Sequence, residues 1–448
     1  MTGREAARFA LDAAGRKGLS AEAFYSSSSE IEVRCFRGEV EHFERADAGG
    51  LGLRVVADGR AGCAYTEDLS RESVEETLAA AAEIAGHLEP QKGVELSDWP
   101  AAAEVPGLEC PEIAGCPVEK KIDMVCRMEA AARTVGVEVA NVPWAGYGET
   151  VVDVFVANTA GLERGKRLGS AQLFVQALAA RGQEAKTFSE HCFARRLSEL
   201  DPKKLGRAAG EGAVGLLGAA EPASGRRNVL FSPRSFAGLL AAFSPVFSGR
   251  SAEEGRSPLA GRLGRKVGAE GVFLSDDATL PANPASRPFD AEGVPARRLP
   301  VIEGGVFRAF MHTSDTARRA GVEPTGHAVR SYKAGPSVAP SNFFLPAGGD
   351  SPGKLRAGAD IEIVDLTGFH SAAQPVSGDF SLPALGYALR NGQRAEPLHN
   401  FTVAGNFLEM LGAIRAAGSD FEYGIPGMGS AFGSGSVLVG GLSVAGKG

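Results

Sequence analysis

The chain has 448 residues, more than one ordinary hydrophobic core can organise, so two or three domains are expected. Apolar residues make up 44% and charged residues 23%, which excludes a disordered chain, and the formal charge of -7 argues against a nucleic-acid partner because the chain as a whole repels a polyanion. Six cysteines without a CxxC pair indicate reduced thiols, and the absence of a signal-peptide pattern or of an apolar run of about 18 residues indicates a cytoplasmic protein with no membrane partner.

An amphipathic helix opens the chain, with a capping box from Thr2 to Glu5 and an end near Gly18. Residues 31–66 then alternate apolar and polar side chains between Gly38, Gly49, Gly50 and the pair Asp58 and Gly59, the pattern of an antiparallel meander. A second capping box, Ser73 to Glu76, predicts the next helix. Residues 89–116 are rich in Pro and acids and read as a connection. Pro117 opens a helix whose Val118, Ile122, Val125 and Met128 share a face. A second meander over residues 149–193 ends at a helix start formed by Asp201 and Pro202. The order helix, meander, helix therefore occurs twice, at about 1–90 and 117–220, and suggests a duplicated α+β unit within an N-terminal domain of residues 1–225.

The Pro, Gly and Arg of residues 221–228 mark the main boundary, after which residues 226–448 form a β-rich C-terminal domain. Ser232 and Pro233 cap a helix, and Gly304 and Gly305 make a hairpin turn between two short strands. One further helix is expected over residues 406–418. The glycines from Gly427 to Gly435 suit a tight turn or bulge where backbone approaches backbone, since they lack the strand, turn and helix context of a dinucleotide site. The fold class expected is thus α+β.

The seven histidines lie more than ten residues apart, so no helical pair of zinc ligands exists, and a nucleophile elbow and a Walker A loop are also missing. Ser351 and Lys354 have SxxK spacing inside a turn sequence. Asp276, Asp277, Asp290 and Glu292 read as strand-ending residues that accept turn hydrogen bonds. His312, near Asp315, and His327, after Thr325 and Gly326, are the only histidines in the densest motif region and the candidates for catalysis.

The segments RPFDAEGVPARRLPVIEGGVFRAFMHTSDTARRAG, PTGHAVRSY, VSGDFSLPALGYALRNGQ and VAGNFLEMLGAI, in that order, resemble the C-terminal half of the PmbA/TldD family, described as gyrase modulators and as peptidases. GLGLRVVADGRAGCAYTEDLS near the N-terminus is similar to that family too. The resemblance implies a fork. Members of the TldD branch carry HExxxH on a helix and a later cysteine ligand, whereas the corresponding helix here, FAGLLAAFSPVFSG, offers Ala241, Ala242 and Val246, and the last cysteine is Cys192. These departures match the PmbA branch, also called TldE. The implied protein is a non-catalytic subunit with no metal of its own, partnered by a TldD-like subunit that bears zinc and acting on peptides or unfolded proteins. A substrate groove is expected around Phe289, Asp290, Gly293 and His312, and a homodimer is an open possibility. The alternatives are a stand-alone hydrolase with an unrecognised site around His312 and His327, and a regulator of DNA gyrase.

Overall fold

A computed structural model of the chain describes residues 1–427 and 429–447 and is α+β throughout. In the first half, helix α1 (Gly3–Arg16) is followed by strands β1 (Ser20–Phe36), β2 (Glu39–Ala57) and β3 (Arg60–Thr66) and by helix α2 (Arg71–His87). A connection with one short helix, α3 (Pro111–Ala114), leads to α4 (Val118–Arg133), then to β4 (Val139–Asn158), β5 (Glu163–Arg181), β6 (Glu184–Ala194) and α5 (Pro202–Gly215). The six strands form one antiparallel sheet in the order β3-β2-β1-β4-β5-β6, with β1 and β4 paired at the centre. The two helix, meander, helix units are therefore joined edge to edge through their first strands; the repeated pattern suggested the two units but not how they join.

Local chemistry explains most of these boundaries. Thr2 caps α1 with Glu5 returning a hydrogen bond to its amide, and Ala6, Ala7, Ala10, Ala13 and Ala14 form the buried stripe against the sheet. Helix α2 begins earlier than expected. Its cap is Ser70, whose hydroxyl accepts from the Ser73 amide, so Ser73 lies inside the first turn. The second meander also begins ten residues early, at Val139. Pro143 hid this strand, because its ladder with β5 absorbs the proline and its neighbours in register shifts between Asn141 and Trp144. Asp201 caps α5 as its position before Pro202 predicted.

The second half opens on β7 (Gly225–Phe231), which reaches back over Gly225 to Asn228 and is a central strand. The joint expected at residues 221–228 is thus shorter and ends where the ladder begins. Helices α6 (Pro233–Phe243) and α7 (Gly249–Glu253) precede β8 (Leu274–Asp277), β9 (Arg298–Glu303), β10 (Val306–Phe307) and α8 (Ser314–Ala320). Then come β11 (Ala328–Val329), β12 (Ser337–Val338), β13 (Asn342–Phe344), α9 (Pro352–Arg356), β14 (Ile361–Leu366), α10 (Phe369–Ala372) and β15 (Ala373–Gln374). The last elements are β16 (Asp379–Arg390), β17 (Gln393–Asn406), α11 (Phe407–Ala413), β18 (Ile414–Ala417), β19 (Glu422–Tyr423), β20 (Ala431–Ser434) and β21 (Val437–Ala445).

One sheet runs β14-β7-β21-β17-β16 and closes on itself where β14 also pairs with β16. A second runs β10-β9-β8-β13-β20-β19. Between them lies the main core, in which Phe243 stacks on Phe407 at 4.6 Å and Phe247 packs on Phe343. The helix expected over 406–418 stops at Ala413, because residues 414–417 leave it to pair with β21. Short helices α8 and α9, each capped by a hydroxyl, interrupt a region read as turns. Ser351 is the cap of α9 and Lys354 pairs with Asp350, so the SxxK spacing is a helix start. Gly304 and Gly305 both take positive φ in the β9–β10 turn. Of the Gly427–Gly435 stretch, Met428 lies outside the described residues. At Gly435 a Cβ would stand 2.2 Å from the Gly418 carbonyl oxygen, the close backbone approach read from the sequence. Among the described residues no helix is long and apolar enough to cross a membrane, and all six cysteines are free.

Candidate functional site

Helix α6 stands between the two halves of the molecule. Ser232 fixes its start, and Phe236, Leu239, Leu240 and Phe243 anchor one side in the C-terminal core. The opposite side, with Ala237, Gly238 and Ala241, lines a cavity of about 270 Å³ whose other wall is Phe174, Ser189 and His191 of β5 and β6. Phe174, His191 and Ile425 also line an adjoining cavity of about 370 Å³ that extends to Trp144. Of the positions that the resemblance singles out, Ala241 faces this groove, Ala242 is half-buried, and Val246 is buried in the core. None of the three carries a donor atom for a metal. Among the described residues there is no group of three or more His, Cys, Asp and Glu side chains that could hold an ion. The residues present do not fit a catalytic zinc.

The polar groups of the groove are arranged around Arg234 in the first turn of α6. Both of its terminal nitrogens donate to the Ser189 carbonyl, at 2.7 and 2.9 Å, and the guanidinium lies 3.6 Å from each of Glu190 and Asp365. Burial raises both carboxyls, an effect that the Arg234 charge only partly offsets. Burial, reinforced by Arg234, pushes the His191 imidazole down to about 4, so at neutral pH it is an uncharged ring. Sequence reasoning missed both residues. The signal available was strand alternation, which puts Ser189 and His191 on one face of β6, with His191 opposite Phe174.

The histidines singled out from the sequence lie elsewhere, and they are linked. His327 Nε2 is 3.0 Å from Asp276 Oδ1, and its Nδ1 is 2.8 Å from the Thr325 hydroxyl. That hydroxyl in turn accepts from the His312 amide at 2.6 Å. Asp276 also accepts from the Ser341 amide at 2.7 Å and from the Ser341 hydroxyl. Burial alone would raise the Asp276 carboxyl, but the His327 charge and these hydrogen bonds outweigh it and hold the group below the usual carboxylate range. Asp276 and His327 are buried, so this chain of contacts ties β8 to the segment before β11 and presents neither group to a substrate. His312 differs, since its ring lines a separate cavity of about 490 Å³. Its pKa is pushed down to about 4, mainly by burial.

The groove expected around Phe289, Asp290, Gly293 and His312 is divided. Phe289 lines a fourth cavity, of about 1080 Å³, between β5 and the connection that precedes α3. Lys166 Nζ donates to the Phe289 carbonyl at 2.5 Å and sits 4.5 Å from its ring, and burial lowers this amine to about 7. Asp290 is buried, taking the amides of Glu292, Val294 and Ala328 at 2.9–3.0 Å in a tight turn completed by Gly293 at positive φ. Gly293 packs on Leu162, and its carbonyl accepts from Arg164 at 2.6 Å. Phe289 and Gly293 therefore dock the C-terminal half on β5 through Lys166 and Arg164, with Asp290 holding the turn between them, away from the His312 cavity. Asp277 accepts from the Thr279 amide and hydroxyl, as a turn residue does.

A long six-stranded antiparallel sheet of two like units, set on a closed β-rich half with a helix at the groove between them, defines a class to which known proteins belong. Three family models match in order: PmbA/TldA metallopeptidase domain 1 over residues 21–85, the central domain over 111–217 and the C-terminal domain over 224–446. The chain belongs to the PmbA/TldD family. It is 26% identical to the metalloprotease PmbA homolog of Haemophilus influenzae, over 94% of this chain and 92% of that one. It is also 26% identical to the metalloprotease PmbA of Escherichia coli O157:H7, over 93% and 91%. Among solved structures it resembles a candidate modulator of a DNA gyrase from Thermotoga maritima, with a TM-score of 0.90, 28% identity and coverage of 99% and 100%. TldE from Thermococcus kodakarensis shares the fold, with a TM-score of 0.88 at 22% identity over 99% of each chain.

Proposed function

We propose that this chain is the non-catalytic, PmbA/TldE-type subunit of a cytoplasmic zinc metallopeptidase assembly, and that a TldD-like partner bearing the zinc cuts peptides or unfolded proteins. The observation that carries the reading is the cavity side of α6. There the positions that the resemblance aligns with HExxxH are Ala241, which faces the groove, Ala242, which is half-buried, and Val246, which turns into the core, and none of them offers an imidazole or a carboxylate. Peptide hydrolysis requires an activated water and a stabilised oxyanion. Neither α6 nor the uncharged His191 with its Arg234 neighbour supplies both. What the groove retains is a half-apolar channel between β6 and α6, suited to an extended chain held through main-chain hydrogen bonds.

The test is peptidase activity on an unfolded polypeptide by the purified chain alone, by a TldD-type subunit alone and by the two together, with zinc measured in each after dialysis. The expected outcome is no turnover and no stoichiometric zinc for the lone chain, with activity in the mixture that His312→Ala leaves in place. Turnover by the lone chain that is lost in His312→Ala would overturn the reading and favour a hydrolase site at that residue.

A further inference from the structure

The cavity over His312 is separate from the α6 groove and has the character of a small-molecule site. Its volume, about 490 Å³, lies in the range of roughly 300–1,000 Å³ typical of such pockets. Leu299 and Phe310 form a buried apolar floor, while Leu263 and Val322 stand at its lips 53% and 48% exposed, an uncovered apolar pair at the mouth. His312 is held at the bottom, 6% exposed. Its Nδ1 is 3.1 Å from the Thr316 hydroxyl, while Nε2 has no protein partner among the described residues and is not among the sealed, unpartnered atoms of the interior. It therefore opens on the cavity. Gly249 makes room for the ring, since a Cβ there would stand 2.0 Å from His312 Cε1.

The rim is charged. Arg297, Arg308 and Arg319 line it with Glu253 and Glu323. Arg319 is engaged by Glu253 at 2.6 Å and Arg308 by Glu303 at 3.4 Å, whereas Arg297 has no partner among the described residues. The cavity thus presents, from mouth to floor, a guanidinium at Arg297 and a carboxylate at Glu323, both unpartnered among the described residues, an apolar barrel and one ring nitrogen. Burial keeps the imidazole uncharged at neutral pH, so Nε2 is a donor in one tautomer and an acceptor in the other. A hydroxyl satisfies either.

We propose that this cavity binds a small hydroxyaryl carboxylic acid, its carboxylate at Arg297, its ring between Leu299, Phe310 and Val322, and its hydroxyl on His312 Nε2. The site does not depend on the subunit reading above, and its failure would leave that reading untouched. The probe is 3-(4-hydroxyphenyl)propanoate, titrated calorimetrically into the intact protein. Saturable one-to-one binding is expected. 3-Phenylpropanoate, which lacks the hydroxyl, should bind about 3- to 10-fold more weakly, the yield of one net hydrogen bond. Tyramine, with an ammonium in place of the carboxylate, should not bind measurably. Arg297→Glu, an exposed change that leaves the fold intact, should abolish binding of the acid, and His312→Phe should erase the preference for the hydroxyl. Equal affinity of the three probes, or no saturable binding by folded protein up to millimolar acid, would overturn the proposal. So would a peptide ending in tyrosine that binds more than about 10-fold tighter than the free acid, since the occupant would then be a polypeptide terminus.

Discussion

Glu292 shows how far a single side chain departs from what its neighbours in sequence suggest. It was legible as a turn acceptor beside Asp290, yet it is 4% exposed, accepts from the Ser314 amide at 2.8 Å and lies 3.9 Å from Arg54. Burial first, and then the nearby carboxylates Asp290, Asp315 and Glu22, push its pKa from 4.5 up to about 8. The folded protein therefore holds a proton that the unfolded chain releases between these values, and stability falls as pH rises through that window. In Glu292→Gln, which keeps an acceptor for Ser314, this dependence should vanish. Relative to the variant, the native chain should lose on the order of 1 kcal/mol per pH unit between about pH 5 and pH 8 in urea unfolding. A difference between the two proteins that stays constant over that range would show that Glu292 does not carry the proton. The sequence could not announce this site, because two of its charged neighbours, Glu22 and Arg54, lie more than 200 residues away from Glu292 along the chain.

At the scale of elements, the helices and meanders were readable wherever caps and alternation agreed, as at Thr2, Asp201 and Ser232. They were lost where tertiary pairing overrode local pattern, as at Pro143 inside β4 and at residues 414–417 drawn from a helix into a ladder with β21. The α6 site was half legible. The helix and its missing ligands were plain from the residue types, but His191 and Arg234 were not, since only the fold sets β6 against α6. Packing between α4 and α5 gives a sharper case. A Cβ at Gly206 would lie 2.0 Å from the Met128 carbonyl oxygen, and one at Gly210 would lie 2.7 Å from that of Ala132. The two helices meet at this small-residue seam, beside Ala209 and Ala213. Gly206→Ala removes backbone freedom from the unfolded chain, a gain of about 0.4–1 kcal/mol, but it forces the helices apart at a cost of about 1–3 kcal/mol. A net fall in melting temperature is expected, whereas the same change at Gly15, which meets nothing within 4 Å, should not lower it. Equal melting temperatures for the two variants would mean that the seam has slack.

At the scale of the whole molecule, the question is what makes two differently built halves one body. Across the seam, Arg330 donates to Glu22 of β1 at 2.7 Å with both side chains at most 4% exposed, and it lies 4.3 Å from the Phe24 ring. Arg54 of β2 reaches Asp315 of α8 at 2.8 Å, and Gly52 lies so close to Tyr332 that a Cβ would stand 2.3 Å from its carbonyl oxygen. The connection of residues 89–110 is fastened over the same seam by Arg318, which donates to Gly93, Glu95 and Ser97. A buried pair of this kind adds little over an apolar pair of the same shape, but breaking one member strands a charge at a cost of about 3–5 kcal/mol. Arg330→Met should therefore separate the unfolding of the N-terminal sheet from that of the C-terminal half, giving two calorimetric transitions where the native chain gives one. Adding Glu22→Gln to that variant removes the stranded charge and should recover part of the loss, a favourable coupling that only residues in direct contact produce. A double variant whose loss equals the sum of the singles would show that the pair does not act as a unit and that the seam is held by its close backbone contacts instead.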